Sequence, residues 1–505
     1  MKLLLIGHAY RYAVEQMLLV LFPQQRPEYI EAVPAERENL LISVLETAED
    51  RVVGRAELFL NGAAAVREES LPASVLTEEP LERDRLLQRI LKLSFFHAAA
   101  ELTGTMPPWG ALTGIRPAKL ASKALEAGSS EDEVRDLFRN TYCVSPERTE
   151  LALDAAGAGL RAKRSLRPDE LSVYVGIPFC PTRCSYCSFV SADVGHARRV
   201  LPDFLRCLEE EIGTVGALLP QAGSVPRTLY IGGGTPTVLT ADQLDRLLTV
   251  LCGALDLSRC TEFTVEAGRP DTITADRLAV LKARGVTRIS VNPQTLRDGV
   301  LEAMGRSHTA ADVFRAYRLA RDAGFGAVNM DLIAGLPKDD PAGFRYTLDG
   351  VLDLAPENIT VHTLALKKGA RLTLEQSALP DGGAVTEMLE YAWARLRQAG
   401  YQPYYLYRQK YMSGSLENIG WCRPGFEGLY NICIMEAYHT ILALGGGGST
   451  KLTDPKTGRI ERLTNPKYPY EYIRDIETIK ADKARLVPFQ RHLAERDAEQ
   501  DASRA

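Results

Sequence analysis

The sequence predicts an α/β fold: an open six-unit (β/α)6 barrel with a separate N-terminal α/β domain before it and a C-terminal extension after it. Three observations predict this. From Val173 to about Leu366, six short β-branched runs alternate with longer segments of helical period, a pattern that favours parallel strands joined by crossover helices. The 505 residues exceed what one ordinary core accommodates, so two or three domains are expected. On either side of the alternation the pattern changes, which sets the outer regions apart.

Taken in order, KLLLIGH reads as a strand, YAVEQMLLVLF as a helix, and YIEAV, LLISVLE and VVGRAELFL as strands, before helices take over near Leu81. The run MPPWGALTGIRPAKL sets Trp109 among Pro and Gly breakers with cations beside them, which predicts a structured loop. Residues 1–165 are thus expected to form an N-terminal α+β domain, whose role the residues do not specify. The barrel core, 166–370, takes LSVYVGI, RTLYIGG, TEFTVEA, TRISVN, AVNMDLI and ENITVHTL as its strands. Between them, segments such as FLRCLEEEIGTVGALL and TAADVFRAYRLARDAG repeat apolar residues at three and four. An active site is expected at the C-terminal ends of those strands. Residues 371–482 supply a helix (AVTEMLEYAWARLRQAG), an aromatic strand (YQPYYLYR) and the run ILALGGGGSTK. The charged tail, 483–505, is expected to fray at its end.

Composition narrows the partners. A net charge of -5 gives no global basic field, so nucleic acid is not favoured. No stretch reaches the roughly 18 apolar residues of a membrane span, and MKLLLIGHAYRY lacks the basic start and cleavage site of a signal peptide. A cytoplasmic protein with no membrane span is therefore expected. Nine cysteines without a disulfide-like framework agree with a reducing compartment. Cys143, Cys207, Cys252, Cys260, Cys422 and Cys433 read as small core residues.

The chemistry lies in the other three. Cys180-x3-Cys184-x2-Cys187, inside GIPFCPTRCSYCSF, places soft thiolates at a spacing that holds iron well. No fourth cysteine follows within reach, so one iron of a cluster is left open. A vacant iron can bind the amino and carboxylate groups of S-adenosylmethionine, a source of radical chemistry, and the triplet is the signature of a radical S-adenosylmethionine (SAM) enzyme. The competing reading is structural zinc, which wants a fourth Cys or His and usually a second Cys pair. Other strand ends add candidates. Strand one carries Tyr174, strand two ends in Gly232-Gly233-Gly234-Thr235, strand three in Glu266, strand four leads to Gln294, and strand five holds Asp331. Buried carboxylates need partners, so Glu266 and Asp331 are expected to meet hydroxyls, an ammonium or Arg. The Arg306 guanidinium suits a carboxylate, while His308 and His362 near the same rim read as structural.

The runs GIPFCPTRCSYCSF, IGGGTPT, FTVEAGRPDTIT, RISVNPQTL and NMDLIAGLPKDDPAGF resemble the oxygen-independent coproporphyrinogen III oxidase family of radical SAM enzymes, over roughly Leu171 to Lys451. With TGIRPAKL and the preceding domain, the chain is most similar to the coproporphyrinogen dehydrogenase branch. The resemblance implies a radical SAM partial (β/α)6 barrel in which Cys180, Cys184 and Cys187 ligate a 4Fe-4S cluster. It also implies that Gly233, Gly234, Thr235, Glu266, Gln294, Arg306 and Asp331 surround S-adenosylmethionine, with Tyr174, Tyr186 and Ala365 flanking it or a second such molecule. The implied partners are a tetrapyrrole substrate and a reducing electron donor such as flavodoxin or ferredoxin. The implied reaction takes a hydrogen from a propionate β carbon of coproporphyrinogen III with a 5'-deoxyadenosyl radical; loss of carbon dioxide, twice, gives protoporphyrinogen IX. Two positions depart from the family oxidases: Phe189 replaces a further cysteine and Gly176 replaces a histidine. The same superfamily includes heme chaperones, whose His-Asn-x-x-Tyr-Trp motif is matched here by Tyr430 to Met435 without the histidine, with His439 nearby. A heme-binding chaperone and another C–H functionalising enzyme, such as a radical methyltransferase, are the alternative readings.

Overall fold

A computed structural model describes residues 1–187, 191–195, 197–365, 380–409 and 416–502. Phe189 and the expected domain edge at residues 370 and 371 lie outside these residues. The chain divides into two units, Met1–Leu153 with Arg408–Leu416, and Asp154–Tyr407 with Glu417–Ala505. The first division falls inside the helix Pro146–Arg164.

In the first unit, β1 (Lys2–Ile6), β2 (Glu28–Tyr29), β3 (Leu40–Thr47), β4 (Arg51–Leu60) and β5 (Ala63–Pro72) form one sheet in the order β2-β1-β3-β4-β5. The helices Arg11–Leu21 and Pro80–Thr103 share its core, where Val14, Met17, Phe95 and Phe96 meet Leu3, Leu41 and Leu58. Of YIEAV only Tyr29 is in a strand, the two-residue β2. The sequence reading lacks β5, because only Ala65 and Leu71 of its ten residues are buried and no alternation is left to see. Asn61 and Gly62, at φ 51° and 78°, turn β4 into β5; an Asn-Gly pair is the signal that would have found this hairpin. The loop predicted around Trp109 is ordered: the indole is buried, the Arg408 guanidinium lies 5.5 Å above its ring, and the Arg408 N–H donates to Ile115 O at 2.8 Å.

The second unit is built on one large sheet. Its strands are β6 (Glu170–Ile177), β9 (Val225–Gly233), β10 (Glu262–Gly268), β11 (Arg288–Val291), β12 (Ala327–Ala334), β13 (Asn358–Thr363), β14 (Gln402–Arg408), β15 (Glu417–Cys422), β16 (Ile441–Gly445), β17 (Ser449–Thr453) and β18 (Ile460–Thr464). A separate pair, β7 (Phe179–Cys180) and β8 (Ala192–Asp193), follows β6. The six predicted strands β6, β9, β10, β11, β12 and β13 lie side by side in chain order and are all parallel. Crossover helices such as Leu201–Gln221, Ala241–Ala254 and Pro341–Leu354 join them. Local chemistry starts two of the helices: Thr240 and Gln243 cap one reciprocally, and Asp340 accepts from Gly343 N–H at 2.7 Å on another.

Both flanks of the sheet are longer than the sequence predicts. The glycine run supplies β16, a seventh parallel strand that pairs with β6 from Ser172↔Ile441 to Gly176↔Gly445, and β17 and β18 continue from it antiparallel. On the other flank β15 pairs antiparallel with β13, and β14 lies beyond it. The charged end includes the helix Leu486–Ala502, where Arg496 pairs with Asp454 at 2.5 Å and Asp497 with Lys456 at 2.9 Å; the last residues, 503–505, expected to fray, lie outside the described residues. Among the described residues no helix is long and apolar enough to cross a membrane.

Candidate functional site

The C-terminal ends of the parallel strands gather the candidate residues on one rim. β6 runs into β7, so Cys180 leaves the sheet directly, and the N–H groups of Ala192 and Val194 donate back to Pro178 O (2.8 Å) and Cys180 O (2.9 Å). A turn brings Cys187 N–H to Cys184 O at 3.2 Å, and Ser185 N–H anchors this turn on Met304 O at 3.1 Å. Cys184 is buried, while Cys180 and Cys187 are half-buried. Two donors address the sulfurs: Thr235 Oγ1 reaches Cys180 Sγ at 3.6 Å, and Arg269 Nη1 reaches Cys184 Sγ at 3.6 Å. Thr235 follows Gly233-Gly234, where a Cβ on Gly234 would lie 2.3 Å from Phe179 O. The missing side chain is what lets the end of β9 approach the cysteine loop.

Across the rim, Glu266 in β10 accepts from the Tyr230 hydroxyl. Burial pushes its carboxyl up to about 7, with the Asp331 charge adding to the rise and the Tyr230 bond opposing it. Asp331, two strands away in β12, is half-buried; desolvation acts to raise it, yet His362 at 3.8 Å and hydrogen bonds from Asn329 and Thr360 outweigh that and hold it below the usual carboxylate range. Gln294 sits beyond β11 with φ 67°, a left-handed backbone costly for a side-chain-bearing residue. Its N–H donates to Asp331 O at 2.9 Å and its carbonyl accepts from Ile333 N–H at 3.0 Å, which fixes it there. Its buried Oε1 has no partner among the described residues. Arg306 is buried too; Nη1 donates to Asn292 O at 2.9 Å, and Nη2 and Nε to the Tyr186 hydroxyl at 2.8 and 3.2 Å. The guanidinium thus clasps the cysteine loop through Tyr186. Ala365 follows β13 on the same rim, and Tyr174 in β6 is register partner of Tyr230 in β9.

Sequence reasoning missed three contributors. Arg269, within the quoted FTVEAGRPDTIT, is the donor to Cys184; a cation one residue past a strand that ends in a candidate carboxylate was the available signal. Tyr230 and Tyr430 stack at 4.3 Å between centroids, and Tyr174 stacks on both at 6.2 and 6.3 Å. His308 is buried 3.8 Å from Asp271 and is pushed down to about 4 by burial and by Arg306. His439 is enclosed, its Nε2 2.8 Å from Ser172 Oγ, and burial pushes it down to about 3. Gly176, where family oxidases carry histidine, is covered: a Cβ there would lie 2.4 Å from Gly446 O.

The donor set suits a polynuclear cluster. Three thiols sit on one loop with polar donors to two sulfurs, and a buried unpartnered amide oxygen lies on the same rim.

The model of the Radical SAM superfamily matches residues 174–349, which cover β6 to the helix after β12 and hold the cysteine triplet. Fold and site together define a radical SAM protein. An oxygen-independent coproporphyrinogen-III oxidase-like protein, HemZ of Bacillus subtilis, is 41% identical over 391 residues, 76% of this chain and 78% of that protein. The heme chaperone HemW of Haemophilus influenzae is 30% identical over 311 residues, 60% of this chain and 76% of the chaperone. The solved structure of coproporphyrinogen III oxidase (HemN) from Escherichia coli, a radical SAM enzyme, superposes with a TM-score of 0.51 at 26% identity, covering 64% of this chain and 73% of that one. The chain belongs to the oxygen-independent coproporphyrinogen III oxidase family, whose cofactors are a 4Fe-4S cluster and S-adenosylmethionine.

Proposed function

We propose that this protein catalyses the oxygen-independent oxidative decarboxylation of coproporphyrinogen III to protoporphyrinogen IX. The observation that carries the reading is the meeting, on one strand-end rim, of a three-thiol loop with two half-buried carboxylates of opposite character. In this reading Cys180, Cys184 and Cys187 hold three irons of the cluster, and Gly233, Gly234, Thr235, Glu266, Gln294, Arg306 and Asp331 surround S-adenosylmethionine, with Tyr174, Tyr186 and Ala365 beside it or a second molecule. When bound, the cluster and S-adenosylmethionine supply a carbon-centred oxidant able to remove hydrogen from a C–H bond.

The chain's own residues position and insulate. Asp331, held ionised, accepts from an ammonium or ribose hydroxyl, and the Gln294 amide, with its oxygen unpartnered among the described residues, suits the same donors. Glu266, held above the usual carboxylate range, accepts or donates at the same rim. Thr235 and Arg269 withdraw electron density from two sulfurs by hydrogen bonding, a lever on cluster potential. The stacked tyrosines, Tyr430 buried and Tyr174 and Tyr230 half-buried, would limit the access of water to that rim. Each propionate loses one β hydrogen and its carboxylate as carbon dioxide to become vinyl; a reducing partner such as flavodoxin or ferredoxin supplies the initiating electron, and an external acceptor takes the last. The chaperone alternative is less well supported, since His439 is enclosed and engaged with Ser172 rather than offered to an iron.

Anaerobically reconstituted protein should release carbon dioxide from coproporphyrinogen III and form 5'-deoxyadenosine. Adenosylmethionine cleavage without decarboxylation rejects the substrate, and tight heme binding with a Soret band in its place favours the chaperone. Cys184→Ala should lose the brown cluster absorbance while remaining folded; unchanged iron and sulfide content refutes the ligand assignment.

A further inference from the structure

The first unit holds a second constellation that the radical site does not use. His97, in the helix Pro80–Thr103, stands between a thiol and a carboxylate: Nε2 is 3.5 Å from Cys143 Sγ, and Nδ1 is 2.9 Å from Glu69 Oε1. Glu69 comes from β5, and Cys143 from the loop between the turn Leu137–Thr141 and the helix Pro146–Arg164. Three separate elements therefore converge on one imidazole. That is the arrangement in which a carboxylate fixes the ring and the ring's other nitrogen takes the proton of a nucleophile. The imidazole is pushed up to about 9 by its contacts with Cys143 and Glu69, against the effect of burial.

The backbone at Cys143 is a second, independent observation. Its φ is 55°, in the left-handed region that a residue with a Cβ adopts at a cost. The flanking residues are tied on both sides: Ala111 N–H donates to Tyr142 O at 2.8 Å, Val144 N–H to Phe138 O at 2.9 Å and Ser145 N–H to Pro108 O at 2.9 Å. Gly110 lets the Trp109 loop close over this point, since a Cβ there would lie 2.1 Å from Tyr142 O and 2.4 Å from Cys143 O. All three side chains keep solvent access; Cys143 is half-buried, and His97 and Glu69 are 35% and 29% exposed. A surface His–Glu pair needs no thiol on its other nitrogen, and a core cysteine needs no left-handed backbone.

We propose that Cys143, His97 and Glu69 form a nucleophilic acyl-transfer site that takes acyl groups from activated oxygen or sulfur esters. With the proton of the pair held on His97 Nε2, Cys143 Sγ bonds to the acyl carbon; the bond from that carbon to the leaving oxygen or sulfur breaks, and the proton passes from His97 to the leaving atom. No electrons change owner, and the product is an S-acyl cysteine plus the free alcohol or thiol.

The test treats the anaerobic holoprotein with p-nitrophenyl acetate, and in a second arm with S-acetyl-N-acetylcysteamine, and maps acetylated peptides over time. Acetyl should appear on Cys143 far ahead of every other thiol, with a matching burst of p-nitrophenolate in the first arm. An adduct from one probe alone fixes the leaving atom. His97→Asn should slow the reaction by about a hundredfold, and Glu69→Gln by less, while Cys143→Ser leaves adenosylmethionine cleavage unchanged. Acetyl spread over the cysteines without preference, or a Cys143 rate that His97→Asn does not alter, overturns the proposal. The wild-type map decides alone if the His97 variant does not fold.

Discussion

At the residue scale, two acids on one rim are driven in opposite directions by neighbours of different kinds. Glu266 meets burial, the Asp331 charge and one phenol, and rises to about 7; Asp331 meets an imidazole, an amide and a hydroxyl, and falls. Environments that split two carboxylates assign them different jobs near neutral pH. Linkage makes the rise of Glu266 measurable. Its carboxyl binds a proton more tightly folded than at its ordinary value of 4.5, so this stabilisation is fully present below about 4.5 and fades as pH rises through about 7. The span corresponds to about 3 kcal/mol. Buried His308 and His439, held low, act the other way below about 6.5, so the Glu266 part is read by difference: the melting-temperature advantage of cofactor-free wild type over Glu266→Gln should be larger at about pH 5 than at about pH 8. An equal advantage at both pH values removes Glu266 as its source.

At the element scale, the site depends on β9 pressing its glycines against the segment that carries Cys180. In Gly234→Ala the new Cβ would stand 2.3 Å from Phe179 O, a backbone atom, so either the strand end or the cysteine loop must move. The change should cost about 1–3 kcal/mol in urea unfolding and lower the iron bound per chain; full iron content with unaltered stability contradicts it. This dependence marks what was legible in the sequence. β-branched runs and a cysteine triplet are local, and all six strands and the loop were readable from them. Pairing is not local. ILALG reads as apolar residues before glycines, and only its partners Ser172 to Gly176 make it a strand of the same sheet. Tyr430 likewise joins the rim through residues far away in the chain, so no spacing rule reveals it. β5 escaped for the opposite reason, since almost nothing in it is buried.

At the scale of the whole molecule, the second unit is locked by a buried charge network that spans much of the chain. Glu211, in the helix Leu201–Gln221, accepts from Gly445 N–H (2.8 Å), the Tyr472 hydroxyl (2.6 Å) and Asn465 Nδ2 (2.9 Å), with Lys483 Nζ 3.3 Å away. Lys483 also donates to Ala443 O at 2.7 Å and Asn465 Oδ1 at 3.0 Å. A pair so enclosed is costly to break from one side, because the partner charge is left stranded. Lys483→Met should destabilise the protein by about 3–5 kcal/mol, and adding Glu211→Gln should restore part of that in denaturant titrations. Equal losses in the single and double variants discount the charge. The same topology has a temporal consequence. β6, which leads into the thiols, receives β9 soon after synthesis but waits for β16; His439, just before that strand, stands 267 positions beyond Ser172. At ribosomal speed this gap lasts roughly 10–60 s. For that interval the strand leading to the thiols is paired on one flank only, so iron is expected to be taken up after the glycine run has left the exit tunnel.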